Sequence, residues 1–167
     1  YKYKDKTINA GNITTLSNFS IISSNRVNKL PNNIHLKTGV VLGCALPTGA
    51  GMVIKNKIKN KKILIIGLGG VGLSSLLACI YFKNKEIDVV EKNLFKINFI
   101  KKKLLKNNIN YFKDLNKVKK NYYDLIIETS GSAKIISNSM NFIKKKGKII
   151  FASHPKFNSK IRLDPFD

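Results

Sequence analysis

The stretch Lys62-Ile63-Leu64-Ile65-Ile66-Gly67-Leu68-Gly69-Gly70-Val71-Gly72-Leu73 decides the fold. Its first half is a short apolar, β-branched run of the kind that forms a strand buried on both faces, and the glycines punctuate its end. From residue 73 to 82 the sequence reads as a helix. Residues 63–82 carry no charge over 20 positions, the nominal length of a membrane-spanning helix. Four glycines within residues 67–72 break that reading, and the segment is predicted to run strand, turn, helix.

The same alternation continues outward. Apolar runs at 63–67, 87–91, 109–112, 125–128 and 149–152 predict strands, and amphipathic stretches at 71–82, 94–107 and 133–145 predict helices, with Gly147 stopping the last of them. Strand alternating with helix predicts an α/β fold, a Rossmann doubly wound parallel sheet. Upstream, Pro47 in Leu46-Pro47-Thr48-Gly49 is placed to begin a helix over about 48–55, where a missing N–H does no harm. Residues 1–37 are rich in Thr, Ser, Asn and Ile, and stretches such as 19–27 look like short strands. The reading is a β-rich segment over 1–45, then a nucleotide-binding domain over 46–167 that is incomplete at its C-terminal end.

Gly67-Leu68-Gly69-Gly70-Val71-Gly72 matches G-x-G-x-x-G, a weak signal alone that gains weight from the strand before it and the helix after it. Gly67 permits the tight turn, Gly69 lets the backbone approach a pyrophosphate, and Gly72 lets helix pack on strand. The free N–H groups and partial positive charge at the helix start suit a diphosphate. Glu91 ends the next strand, 19 residues after Gly72, where a carboxylate accepts both hydroxyls of an adenosine ribose. Its charge would repel a 2′-phosphate, so NAD is expected over NADP. Lys96 could reach the same ribose or phosphate, or be one more solvated lysine. The plainer alternative is that the glycines only build a crossover turn and Glu91 is an ordinary strand-end charge.

The chain has 167 residues, 43% of them hydrophobic, enough for a core without disulfide or metal staples. Its net charge of +22 invites a nucleic-acid reading. Of the 31 basic residues, however, only Arg26 and Arg162 are Arg, and the lysines are scattered among over-used Asn and Ile, as a coding sequence rich in adenine and thymine would produce. Solvated lysine faces are the expectation; neither a nucleic-acid nor a membrane partner is. Cys44 and Cys79 show no C-x-x-C spacing, which fits a reducing, cytoplasmic compartment. Cys79 reads as a core thiol, His35 as a surface residue, and His154, beside Pro155 at a strand end, sits where open α/β sheets bind ligands. The first residue is not Met, so a piece of a longer polypeptide is expected.

The stretch Leu42-Gly43-Cys44-Ala45-Leu46-Pro47-Thr48-Gly49-Ala50-Gly51, followed by the glycine-rich turn, resembles the zinc-dependent alcohol dehydrogenases of the medium-chain dehydrogenase/reductase family. Gly11-Asn12-Ile13-Thr14-Thr15-Leu16-Ser17-Asn18-Phe19-Ser20 and Asn25-Arg26-Val27 resemble the end of that family's GroES-like catalytic domain. Tyr123-Asp124-Leu125-Ile126-Ile127-Glu128-Thr129-Ser130-Gly131 and Gly147-Lys148-Ile149-Ile150-Phe151 resemble its fourth and fifth cofactor-domain strands. The resemblance implies hydride transfer between an alcohol or aldehyde and NAD, assisted by zinc. It places Cys44 on the third catalytic zinc ligand, Thr48 and Val71 beside the nicotinamide, and Ala152 and His154 at the strand end that receives the carboxamide. Glu91 stands where the family usually has Asp. The remaining zinc ligands would lie before Tyr1 and a sixth strand after Asp167, and relatives suggest a homodimer or homotetramer. The alternatives are a zinc-free quinone or enoyl reductase of the same superfamily, which would need no thiol at Cys44, and a non-catalytic nucleotide-binding module.

Overall fold

The computed structural model describes residues 2–7, 18–84, 86–104 and 108–163. The chain divides into two units, Tyr1–Gly39 and Val40–Asp167. In the first, β1 (Lys2–Tyr3) and β2 (Lys6–Thr7) form a two-stranded antiparallel pair, followed by a 3₁₀ turn at Ser24–Arg26. The expected strands over 19–27 do not form: Phe19 and Ile21 are solvent-exposed, so neither packs into a core, and the one regular element there is the 3₁₀ turn at Ser24–Arg26. The resembling segment 11–17 lies outside the described residues. Helix α1 (Leu36–Leu42) leads into the second unit.

That unit is built from α2 (Ala45–Lys55), β3 (Lys62–Ile66), α3 (Gly70–Tyr81), β4 (Glu86–Val90), α4 (Leu94–Leu104), β5 (Ile109–Phe112), β6 (Tyr123–Glu128), α5 (Ala133–Ser139) and β7 (Ile143–Phe151). Five strands pair in the order β5-β4-β3-β6-β7, all parallel, as the alternation predicted. Side chains alternate across the sheet with period two and so fill two cores. Ile63 and Ile65 of β3 pack on one face with Val53 of α2, Leu76 and Cys79 of α3 and Ile100 of α4. Leu64 and Ile66 pack on the other with Leu115, Val118, Tyr123 and Phe142. Residues 63–66 are at most 2% exposed. Each such aliphatic side chain contributes roughly 1.5–3 kcal/mol, which is why this strand sits at the centre.

Several boundaries differ from expectation by one or two residues, and two differ by more. The helix at 133–145 ends at Ser139, passes through a 3₁₀ turn at Met140–Phe142 and becomes strand at Ile143, because Ile143 already pairs with Tyr123. Gly147 is therefore not a helix stop. It lies inside β7, in an irregular stretch between the pairs Tyr123–Ile143 and Leu125–Lys148. Helix α2 starts three residues earlier than expected, with Pro47 still in its first turn. Segment 63–82 is strand, turn and helix, and among the described residues no single helix is long and apolar enough to cross a membrane.

Candidate dinucleotide site at the strand ends

Backbone proximity fixes the turn after β3. Gly67 has φ of 95°, and a Cβ on Gly72 would stand 2.0 Å from the carbonyl oxygen of Gly67. Only glycine at both positions lets α3 start directly on the strand end. The N-cap of α3 is Gly69, which has no side chain to cap it, and Gly69 and Gly70 are exposed, so an anion could meet the first-turn N–H groups there.

Helix α2 crosses α3 at an equally close contact: a Cβ on Gly49 would fall 2.3 Å from the Val71 carbonyl oxygen, and the Ser75 hydroxyl donates to the Gly49 carbonyl at 3.1 Å. This contact brings Ala45 to 3.1 Å from where a Gly70 Cβ would stand, so Cys44, the N-terminal flank of α2, lies beside the glycine-rich turn. Its thiol is exposed. Thr48 is exposed as well and lines a different groove, shared with Gly51, Lys55 and Phe151.

Glu91 follows β4 and is 7% exposed. Its carboxylate accepts the Leu68 N–H at 2.8 Å and the Asn93 N–H at 2.9 Å, with the Lys96 ammonium 3.8 Å away. Glu91 is thus first an anchor of the turn, and Leu68, expected at the cofactor, spends its N–H on that anchor. A carboxylate offers about four lone-pair positions, so acceptor capacity remains for a ribose. Asn93 caps α4 by accepting from the Lys96 N–H at 3.3 Å, which holds Lys96 over the site.

These residues line a cleft of about 450 Å³ at the C-terminal ends of β3, β4 and β6. Gly67, Gly69, Glu91 and Lys96 are brought together there with Lys92, Lys113, Asp114, Thr129, Ser130 and Ser132, which the sequence reading had not assigned. The signal that could have found Thr129 and Ser130 was their position just past a predicted strand, on the edge where open α/β sheets bind ligands. The Thr129 hydroxyl donates to the Ile66 and Gly67 carbonyls at 2.9 and 3.1 Å, joining the β6 end to the turn. Val71 borders the turn on α3 without lining this cleft. Ala152 and His154 do not line it either; the Ala152 N–H donates to the Glu128 carbonyl at 2.9 Å, and His154 is exposed just beyond β7. Among the described residues no three His, Cys, Asp or Glu side chains cluster as a metal site.

No protein-family model matches the chain. Among curated proteins, it is 29% identical over 89 residues to an aliphatic (R)-hydroxynitrile lyase of Linum usitatissimum, covering 50% of this chain and 21% of that one. It is 30% identical over 69 residues to alcohol dehydrogenase class-2 isozyme 2 of Oryctolagus cuniculus, covering 40% and 18%. It is 26% identical over 117 residues to ribosomal RNA small subunit methyltransferase G of Mesoplasma florum, covering 65% and 49%. Among solved structures, benzyl alcohol dehydrogenase from Acinetobacter calcoaceticus superposes with a TM-score of 0.66 at 21% identity, over 83% of this chain and 40% of that one. Acetophenone reductase from Geotrichum candidum, solved in complex with NAD, superposes with a TM-score of 0.61 at 18% identity, over 74% and 39%. The chain shares the fold of these two solved structures, and it spans less than half the length of each of the five proteins.

Proposed function

We propose that the chain is the cofactor-binding part of a nicotinamide-dependent oxidoreductase of the zinc-containing alcohol dehydrogenase kind, of the medium-chain dehydrogenase/reductase family. The observation that carries this reading is the convergence of an uncapped helix start and an acidic strand end on one cleft, between the strands where the sheet order reverses. The diphosphate would lie on the N–H groups at Gly69, Gly70 and Val71, and Glu91 would accept ribose hydroxyls, with its charge favouring NAD over NADP.

Cys44 fits one position of a zinc site: its sulfur is a zinc-ligand type, its side chain is exposed at a helix start, and it stands beside the turn that would carry the cofactor. The other ligands would come from outside this chain. When bound, zinc would supply Lewis acidity at the substrate oxygen and the nicotinamide would exchange hydride with the adjacent carbon. The domain limits 1–45 and 46–167, and a homodimer or homotetramer acting on an alcohol or aldehyde in the cytoplasm, belong to the same proposal.

The match to the ribosomal RNA methyltransferase, together with the +22 charge, favours a second reading in which the cleft serves an RNA-modifying module. NADH fluorescence titration and a salt series with RNA separate the two. The first reading expects saturable NADH binding, tighter than NADPH; salt-sensitive RNA binding without NADH binding would replace it with the second.

A further inference from the structure

Glu128, the last residue of β6, is fully buried, and its carboxylate is not used by the cleft. Among the described residues no salt bridge reaches it. Stripping a carboxylate of water costs several kcal/mol, and a strand end packed in this core could hold an aliphatic residue instead. What Glu128 gains is hydrogen bonds from two separate loops. One oxygen accepts the Ser130 N–H at 2.7 Å and the Ser130 hydroxyl; the other accepts the Ser153 hydroxyl at 2.5 Å. Ser130 belongs to the loop after β6 and also lines the cleft, while Ser153 belongs to the loop after β7. The Ser130 hydroxyl in turn accepts the Ser132 N–H at 3.2 Å, at the entrance to α5. One buried group therefore fixes both loops on the β6–β7 side of the switch point.

A dinucleotide seated across that point has two halves. The adenosine half falls on the Glu91 side, over β4. The other half must then extend over the ends of β6 and β7, onto the loops that Glu128 holds. We propose that Glu128 is a positioning residue: through Ser130 and Ser153 it sets the wall against which the nicotinamide half of the cofactor rests. The proposal rests on the cofactor reading above.

The test compares NADH with ADP-ribose, which lacks the nicotinamide, on the full chain. Ser153→Ala removes one arm of the clamp without touching the buried charge. It is expected to weaken NADH binding about tenfold, the effect of one charge-assisted hydrogen bond, while ADP-ribose affinity stays within about twofold. Ser153→Thr, which restores the hydroxyl, is expected to recover NADH affinity, and Glu128→Gln to repeat the selective loss. Equal weakening of both ligands, or of neither, overturns the positioning role. A wild-type chain that binds neither ligand overturns the cofactor reading itself, and the clamp's role with it.

Discussion

Replacing Glu91 by Gln separates the anchor from the hook. The native carboxylate serves two backbone donors at once, the N–H groups of Leu68 at 2.8 Å and Asn93 at 2.9 Å. Gln has one acceptor oxygen. If it keeps Leu68, whose N–H is buried, the amide nitrogen faces the Asn93 N–H donor to donor, and the retained bond loses its charge assistance. Charge-assisted bonds contribute about 1.5–3 kcal/mol and neutral ones about 0.5–1.5, and the abandoned Asn93 donor can turn to water, so the expected loss is about 2 kcal/mol. The Lys96 pair adds little, because the lysine side chain is 45% exposed. For a chain of this size that loss lowers Tm by about 4–8 °C. Thermal unfolding followed by circular dichroism reads it, and hydrogen exchange at the Leu68 amide should speed up in step. NADH affinity should fall by about tenfold or more as the ribose loses a charged acceptor. A Tm within about 1 °C of the wild type, with Leu68 exchange and NADH binding unchanged, would refute the reasoning.

Three further outcomes follow from the same geometry. Gly49→Ala places a methyl 2.3 Å from the Val71 carbonyl oxygen and must push α2 off α3; a loss of about 2–4 kcal/mol in urea unfolding is expected, and an unchanged midpoint would contradict the close packing. Burial pushes the Cys79 thiol up to about 12 from 9.0, so between those values the unfolded chain has lost a proton that the native state keeps. Native stability from this group is whole below pH 9 and falls by at most about 1.4 kcal/mol per pH unit above it; comparing Cys79→Ala with wild type over pH 8–10.5 should show that extra slope vanish, and equal slopes would contradict the burial. In the full-length protein, Cys44→Ala should lower zinc content and turnover while NADH binding survives; full zinc with retained activity would reject its ligand role.

The central strands were legible because a strand buried on both faces needs an unbroken apolar run, and 63–66 and 125–127 are such runs, cut off by glycine or by a polar residue at the sheet's edge. The turn was legible because its glycines answer to backbone contacts within a few residues of one another. Residues 19–27 failed for the opposite reason: β-branched and aromatic content resembles a strand, but pairing is a tertiary property that local composition does not carry. The end of α5 was missed because Lys144, Lys145 and Lys146 continue a helix-like polar pattern while Ile143 is claimed by its partner in β6. Glu91 was found by its spacing from Gly72, yet its anchoring of Leu68 was not, since that bond depends on how β3 and β4 align. Glu128 carried no signal, because an acid at the end of an apolar run reads as solvated until Ser130 and Ser153 fold over it.

The most direct measurement is an amide chemical-shift titration of the isotopically labelled chain with NAD. The account predicts that the largest shifts fall on Gly69, Gly70, Val71 and Gly72 and on the residues flanking Glu91, saturating together at one affinity. Absence of shifts there at millimolar NAD, or shifts confined to the exposed lysines and abolished by salt, would contradict it.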